Sequence, residues 1–197
     1  MAFFHGVRVK EVPTSILTPA STMAGLPVVF GTAPVHLTAD PAKHVNRPVI
    51  CYSWNEAVAA LGYSDNWDAY TLSEVMYAQF KLYGVKPIIF VNVLDPAKHK
   101  AEIKDTDGRT VTEGHIVLDD PVLIDSLKVK SSAAAEPATN LTDYTAAYND
   151  DGKLVISVTP TGTLKSADKL YLEYSKIDPS KVKDVDIIGG ASKNGTA

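Results

Sequence analysis

Histidine, cysteine and paired carboxylates are the side chains that could give this chain catalytic or metal-binding chemistry. Metal ligands need characteristic spacings, because three or four of them must converge on one ion. The five histidines show no such spacing: His5, His36, His44, His99 and His115. Cys51, the single cysteine, falls in a predicted buried strand, where a thiol stays protonated and unreactive. We therefore expect no metal site, no nucleophilic cysteine and no internal disulfide.

Acidic residues cluster in predicted turns rather than in a predicted cleft. Asp105–Gly108 resembles the start of a calcium loop, but the glutamate at the loop's twelfth position is missing; we predict a hairpin turn there. Asp119-Asp120 and Asp150-Asp151 are sequence neighbours, and adjacent turn residues rarely converge on one substrate atom. The sequence contains no phosphate-binding glycine loop, no H-E-x-x-H and no G-x-S-x-G. It predicts no catalytic residue and no cofactor.

Composition narrows the classes of partner. The chain has 197 residues and a formal net charge of −4, so it lacks the basic field of a nucleic-acid-binding protein. Its longest apolar run, Pro87–Leu94, is far shorter than the roughly 20 residues that span a bilayer. The first residues do not resemble a secretory signal. We expect a soluble protein made in a cytoplasm, with no nucleic-acid partner and no membrane insertion.

Residues 1–26 are predicted to be extended. Prolines at positions 13 and 19 and several Ser and Thr residues oppose a helix, while the preceding valines alternate as in a strand. A disordered tail is one interpretation. The other is an arm that adds a strand to the sheet of another subunit, and two adjacent phenylalanines favour it. The predicted contact residues of this arm are Phe3, Phe4, Val7, Val9 and Val12.

The next segment, residues 27–94, has the pattern of a small α/β layer, and we call it the α/β segment. Its apolar runs predict three buried strands: Pro27–Gly31, Pro48–Tyr52 and Ile88–Leu94. Ser53 and Thr71 each precede a Glu by three residues, the spacing of a capping box at a helix start. The predicted helices end at Gly62 and Gly84. The sequence thus predicts the order β, β, α, α, β, with helices covering a sheet.

A shift in composition separates this segment from residues 95–186, which we call the β-rich segment. Residues 1–94 hold twelve of the sixteen aromatic side chains, whereas residues 95–197 hold thirty of the forty-two charged ones. Short apolar runs between turn signals predict an inserted β domain, either a sandwich or an open barrel. We expect Leu154–Thr159 and Lys169–Tyr174 to pair as a hairpin. The predicted strands are Val111–Glu113, His115–Leu118, Leu127–Lys130, Tyr144–Tyr148, Leu154–Thr159 and Leu170–Tyr174.

Together these segments predict an α+β fold class. The first part of the chain resembles the N-terminal region of tail sheath proteins from contractile bacteriophages and phage-tail-like particles. The resemblance is most specific in Gly25–Pro34 (GLPVVFGTAP) and in the helix Trp54–Gly62 (WNEAVAALG). It extends to Gly6–Glu11 and Tyr77–Leu94. In that family a variable domain is inserted into a conserved core, which would be residues 95–186. Residues 187–197 would then begin the return to the core, so we expect a truncated chain.

The resemblance implies a structural subunit rather than an enzyme. Such a subunit polymerises helically with other copies around a tail tube and contracts to drive the tube through a cell envelope. Its partners would be other sheath subunits, the tube protein and the baseplate. It would be made in a bacterial host and located in the virion tail, or in a prophage-derived particle. A chain lacking the rest of the core would be monomeric. Two alternatives stay open: a baseplate or adhesin module that binds a surface, and an enzyme with an unrecognised site.

Overall fold

Ten strands and three α-helices lie within residues 25–188, the part of the chain that the computed structural model describes. The strands are β1 (Val28–Gly31), β2 (Pro48–Cys51), β3 (Ile88–Asn92), β4 (Lys100–Lys104), β5 (Arg109–Thr110), β6 (His115–Leu118), β7 (Lys128–Lys130), β8 (Tyr144–Tyr148), β9 (Leu154–Val158) and β10 (Lys169–Ile177). The helices are α1 (Trp54–Leu61), α2 (Thr71–Tyr77) and α3 (Asp184–Ile188). The fold is mixed α+β; its sheets are open, and residues 25–188 form no barrel.

The α/β segment is built on a three-stranded sheet of order β1-β3-β2. The β-branched run of β3 occupies the centre, parallel to β1 and antiparallel to β2. Phe90 in β3 lies between Val29 and Val49 and is fully buried. Its face of the sheet packs against α1 and α2, with Leu61, Leu72 and Met76 in the same hydrophobic cluster. The three strands predicted in this segment are confirmed.

Helix α1 begins where its capping signal places it. The Ser53 hydroxyl accepts the Glu56 N–H at 3.3 Å, and the Glu56 carboxylate reaches back to the N–H of Tyr52 at 2.8 Å. The return bond is therefore one residue earlier than in a standard capping box. The helix ends at Gly62, which has φ 76° and donates its N–H to Val58 O at 2.8 Å. Glycine suits this left-handed conformation because it has no Cβ.

Helix α2 begins at Thr71, but the predicted capping box does not form. The cap position is Tyr70, and no side chain caps the helix. The Thr71 hydroxyl instead accepts the N–H of Thr32 at 3.1 Å. The helix also continues as a π-helical turn over Ala78–Leu82, and Tyr83, which follows it, is exposed. Tertiary contact with β1 has overridden the local capping pattern.

Strand β10 organises the first sheet of the β-rich segment. It pairs antiparallel with β4 and β5 along one edge and with β7 along the other. The register shifts by two residues between Glu173↔Lys104 and Leu170↔Arg109. The residues between them form a bulge, so Asp105–Gly108 is not the predicted hairpin turn. The strand predicted at Val111–Glu113 is wrong as well, because pairing with β10 ends at Thr110.

A separate sheet of order β6-β9-β8 completes the β-rich segment. The predicted hairpin of Leu154–Thr159 with Lys169–Tyr174 is wrong, since β9 pairs with β6 and β8 and never with β10. The two sheets instead meet through buried side chains. Leu170 and Leu172 of β10 share one hydrophobic cluster with Leu154 and Ile156 of β9.

The β-rich segment leaves and rejoins the α/β segment at neighbouring points. Lys100 at the start of β4 pairs with Ile177 at the end of β10, and the Asp178 N–H bonds to His99 O at 2.9 Å. Ile177 itself belongs to the hydrophobic cluster of the α/β segment. The entering and departing strands are therefore hydrogen-bonded partners where they meet the sheet of β1–β3.

Candidate assembly surface

The side chains with catalytic potential have structural partners in the fold. Cys51 is fully buried, and burial together with the Glu56 charge raises the pKa of its thiol to about 11, so it stays protonated. His99 accepts the Asp95 N–H through Nδ1 at 2.9 Å, and its Nε2 lies 3.3 Å from Asp186. Within residues 25–188, no three His, Cys, Asp or Glu side chains are placed to hold a metal ion.

The paired carboxylates diverge rather than converge. Asp119 faces Lys153, with Nζ and Oδ1 2.7 Å apart. Asp120 accepts the Tyr174 hydroxyl at 2.6 Å and the Lys176 ammonium at 2.8 Å. Burial opposes ionisation of Asp120, but these two donors outweigh it and hold the pKa of its carboxyl below the usual range. Asp120 anchors its loop to β10, whereas Asp119 pairs with a residue of the turn before β9, so the two carboxylates do not share a substrate position.

The predicted arm lies outside the described residues. Phe3, Phe4, Val7, Val9 and Val12 all precede Gly25, as does His5. What the structure does describe is a surface that such an arm could bind.

One face of the three-stranded sheet carries exposed apolar side chains on its two outer strands. Val28 and Phe30 of β1 are 50% and 53% exposed, and Ile50 of β2 is 39% exposed. All three lie on the face opposite Phe90, because side chains alternate along a strand. In the strand pairing, Ile89 of β3 lies between Val28 and Ile50, and Val91 of β3 lies beside Phe30. The side chains exposed on this face are therefore those of the two outer strands, Val28, Phe30 and Ile50, which we call the exposed face.

The outer edge of β1 adds unpaired backbone groups to the exposed face. Pro27 O and Gly31 O accept the N–H groups of Ile89 and Val93, both at 2.9 Å. In a parallel ladder such bonds recur at every second residue. The backbone groups of Val28 and Phe30 therefore point away from β3, along an edge that is unpaired in the described residues. This edge can accept one further short strand.

A hydrogen-bonded junction closes the far end of that edge. Thr32 donates its N–H to the Thr71 hydroxyl, accepts the Leu72 N–H at 3.0 Å and donates its own hydroxyl to Ala69 O at 2.8 Å. A Cβ at Gly31 would collide with Thr71 Oγ1 and approach the Leu72 side chain to 3.1 Å. Glycine at position 31 therefore lets helix α2 approach β1, which limits the free edge to Val28 and Phe30.

Asn92 ties the same junction to the centre of the sheet. Its buried side chain accepts the N–H groups of Ala33 and Leu94, both at 3.1 Å, and donates to Leu94 O at 2.9 Å. The Gly31–Pro34 element, in one of the two most specific parts of the sequence resemblance, is thus where β1, β3 and α2 meet. A Cβ added at Gly62 would collide with Pro34 O. Glycine at positions 31 and 62 therefore permits close contacts between neighbouring elements.

Sequence reasoning missed this surface because its strands are apolar on both sides. A continuous apolar run predicts burial on both faces, as β3 shows. For β1 and β2 the same pattern overstates burial, since Val28, Phe30 and Ile50 are exposed. The missing signal is their position in the sheet: both strands lie at an edge. That position depends on pairings the sequence does not reveal.

Helices in the described part of the chain are short, and none is long and apolar enough to cross a bilayer.

The chain is similar in sequence to a known phage protein. The chain is 28% identical over 198 residues to the tail sheath protein of Burkholderia phage BcepMu. The match covers 98% of this chain and 38% of the relative, so the chain spans well under half of that protein's length. No family model matches the chain, and no solved structure matches it. The distant similarity runs along nearly the whole chain and supports the tail sheath resemblance and a structural role in a phage.

Proposed function

We propose that this chain is part of the subunit of a contractile tail sheath. In this proposal, subunits polymerise helically around a tail tube, end on a baseplate, and contract to drive the tube through a cell envelope. The observation that supports this proposal most directly is the exposed face together with the free edge of β1. They form an apolar, hydrogen-bonding surface on a chain similar to a phage tail sheath protein. The role is structural, and the protein acts in the virion tail.

The contact we propose is strand addition. The arm residues Phe3, Phe4, Val7, Val9 and Val12 of one copy would extend along β1 of the next copy. Backbone bonds to Val28 and Phe30 would supply affinity, and the exposed face would receive apolar side chains. The contact is heterologous, because arm and edge are different surfaces, so it propagates from copy to copy and yields a helix instead of a closed ring. An extended tie also lets rigid bodies change their packing during contraction.

We also propose that residues 95–186 are a domain inserted into the sheath core. The pairing of Lys100 with Ile177 supports this, since the two connections to the α/β segment lie side by side. A separate hydrophobic cluster supports it further. Residues 187–197 would then return to the core.

Intermolecular disulfide formation tests the strand addition directly. We would mix a Val9→Cys chain with a Val28→Cys chain under mild oxidation and measure the heterodimer on a non-reducing gel. The native Cys51 is buried and protonated, so it should not interfere. We expect a heterodimer that is lost when residues 2–8 are deleted from the Val9→Cys chain.

The matched control replaces Val28→Cys by Val117→Cys. Val117 is 52% exposed and lies in β6, also at the edge of its sheet. Equal cross-linking to Val117→Cys would show random collision and contradict the proposal. Sedimentation extends the test: without the rest of the core the chain should be largely monomeric, and the weak self-association that remains at high protein concentration should fall in a chain lacking residues 2–20. Association that survives this deletion would contradict the role of the arm.

A further inference from the structure

A groove of about 580 Å³ opens at the end of the free β1 edge. Phe30, which belongs to the exposed face, is one of its lining residues. The other large aliphatic side chains that line it are Val93, which follows β3, and Val182 and Ile187, which follow β10. The groove therefore continues the exposed face and is walled in part by the chain that returns from the β-rich segment.

The groove is open to a further apolar group. Phe30 is 53% exposed and Ile187 is 47% exposed, so covering them would remove apolar area from water. A groove of this volume readily holds one aromatic ring. An aromatic side chain from outside the described residues would therefore complement it.

Charge favours the predicted arm as the source of that side chain. The charged residues that line the groove are both acidic, Asp68 and Asp178. Residues 1–12 hold two basic residues and one acidic residue, a net charge of +1. The arm and the rim of the groove are therefore of opposite sign, which favours their contact.

The backbone of the free edge determines where an added arm would end. Val28 and Phe30 point their N–H and C=O groups away from β3, and in an antiparallel pair such a residue exchanges both bonds with one residue of the added strand. With Val9 beside Val28, as in the proposed contact, Val7 then lies beside Phe30. Antiparallel addition carries the start of the arm past Phe30 to the groove, whereas parallel addition carries it past Pro27, away from the groove.

Alternation along the arm decides which phenylalanine reaches the groove. Directly opposite residues of an antiparallel pair lie on the same face, so the two paired valines face the same way as Phe30. Continued alternation places Phe3 on that side and Phe4 on the other. Phe3 precedes Val7 by four residues, a reach of roughly 13 Å in an extended chain. Strand pairing cannot continue over this distance, because the junction at Thr32 closes the edge, so the end of the arm meets the groove instead.

We propose that the arm runs antiparallel to β1 of a neighbouring copy and that its Phe3 side chain occupies this groove. This inference rests on the proposed strand addition and gives it a direction and an anchor. Backbone bonds at Val28 and Phe30 would hold the arm along the edge. The ring of Phe3 would fix the register, because a slip of one residue moves every side chain of the arm to the other face.

Disulfide formation at the groove tests the anchor in the complete 197-residue chain. A His5→Cys chain, which keeps Phe3, would be mixed with a Ser180→Cys chain in a glutathione redox buffer. A tag on one chain separates heterodimers from homodimers on a non-reducing gel. Ser180 is exposed and lines the groove, and Ser132→Cys is the matched control, exposed but outside the groove. We expect at least about tenfold more heterodimer with Ser180→Cys, because a docked arm raises the local thiol concentration.

The two phenylalanines provide the decisive comparison. Phe3→Ala added to the His5→Cys chain should lower heterodimer formation with Ser180→Cys by about tenfold, as expected for loss of a buried aromatic anchor. Phe4→Ala should leave it unchanged. Equal losses, no loss, or a loss confined to Phe4→Ala would overturn the assignment of Phe3 to the groove.

Two further outcomes would assign the groove to a different occupant. A chain carrying both His5→Cys and Ser180→Cys that closes a disulfide within one copy, while the mixed chains form no heterodimer, would place the arm on its own groove. A heterodimer that forms only after deletion of residues 189–197 would assign the groove to the last residues of the same chain. Either result would overturn Phe3 of a neighbouring copy as the occupant.

The heterodimer between Val9→Cys and Val28→Cys distinguishes this inference from the proposed function. If that heterodimer forms while Ser180→Cys gives no more product than Ser132→Cys, strand addition is supported and the Phe3 anchor is overturned. If neither heterodimer forms, the proposed strand addition fails and the anchor fails with it.

Discussion

The α/β segment and the β-rich segment differ in what they leave uncovered. Of the large hydrophobic side chains that are exposed, eight lie in residues 27–94 and three in the longer stretch of residues 95–186. The β-rich segment packs its two sheets on one shared cluster and carries charge outside, as where Glu173 lies between Lys104 and Lys130 at 3.2 and 2.9 Å. The α/β segment covers one sheet face with helices and leaves the outer strands of the other face exposed.

This difference indicates which segment is suited to contact other molecules through apolar surface. A sheet with one open apolar face gains free energy when that face is covered, at roughly 25 cal/mol per Å² of apolar area. The β-rich segment has little to gain in this way. We therefore place the proposed subunit contact on β1 and β2 and regard the β-rich segment as separately packed.

Phe90→Ala is expected to destabilise the chain most. Phe90 is fully buried at the centre of the sheet, and truncating such a side chain costs about 3–5 kcal/mol. Phe30→Ala, on the neighbouring strand, should cost less than about 1 kcal/mol because Phe30 is 53% exposed. Urea denaturation measures both. A similar cost at the two positions would mean that the exposed face is covered in the isolated chain.

Local signals account for most of the α/β segment that could be predicted from sequence. The cap at Ser53, the stop at Gly62 and the β-branched run of β3 depend on residues within one turn or one strand. The failed cap at Thr71 shows the limit, because Thr32, distant in sequence, takes its hydroxyl. No signal near Thr71 could reveal that contact.

Strand pairing in the β-rich segment could not be predicted from the sequence, because it too depends on contacts between residues that are distant along the chain. Leu154–Thr159 and Lys169–Tyr174 are close in sequence and both apolar, yet each pairs with strands from elsewhere. Strand β4 escaped prediction because its sequence, KAEIK, is mostly charged. It lies at an edge of β10, where charged residues are common. Of the candidate site, the arm was predicted and lies outside the described residues, whereas the exposed face required the sheet order.

Acid titration of His36 should give the next largest effect, at the boundary of the two segments. Burial lowers the pKa of its imidazole from 6.5 to about 4. Between these values the unfolded chain binds a proton that the native chain does not, so the free energy of unfolding falls as the pH decreases. The full loss is about 3 kcal/mol. Urea denaturation from neutral pH to about pH 4 measures this loss. The free energy of unfolding should fall more steeply with decreasing pH in the native chain than in His36→Gln. Parallel curves would show that His36 titrates normally.

Gly31→Ala should destabilise the α/β segment by about 2 kcal/mol through overpacking. The added methyl collides with the Thr71 hydroxyl that Thr32 holds in place. Gly114→Ala is the control in the β-rich segment, because a Cβ at Gly114 meets no atom within 4 Å. Gly114 has φ 79°, so the cost of its substitution is backbone strain alone. Adding Thr71→Ser to Gly31→Ala tests the contact, since a serine hydroxyl at this position turns more freely; no recovery of stability would place the collision elsewhere.

The smallest effect is expected from Asp120→Asn in the β-rich segment. The amide keeps the shape of the side chain but weakens its bonds to the Tyr174 hydroxyl and the Lys176 ammonium. The folded pKa of Asp120 lies below its ordinary value of 3.8. Its contribution is therefore present above that value and lost as the pH falls through the folded pKa. We expect a loss of about 1 kcal/mol at neutral pH, because the pair is only partly buried.

Urea denaturation at neutral pH and at about pH 2 measures this difference, which should shrink at the lower pH as the wild-type carboxyl becomes protonated. Asp168→Asn, at an exposed carboxylate without an ion pair in the described residues, is the matched control and should change stability at neither pH. A loss at Asp120 much larger than that at Gly31 would contradict this expected order of effects. Polar contacts, rather than the shared hydrophobic cluster, would then be the principal source of stability in the β-rich segment.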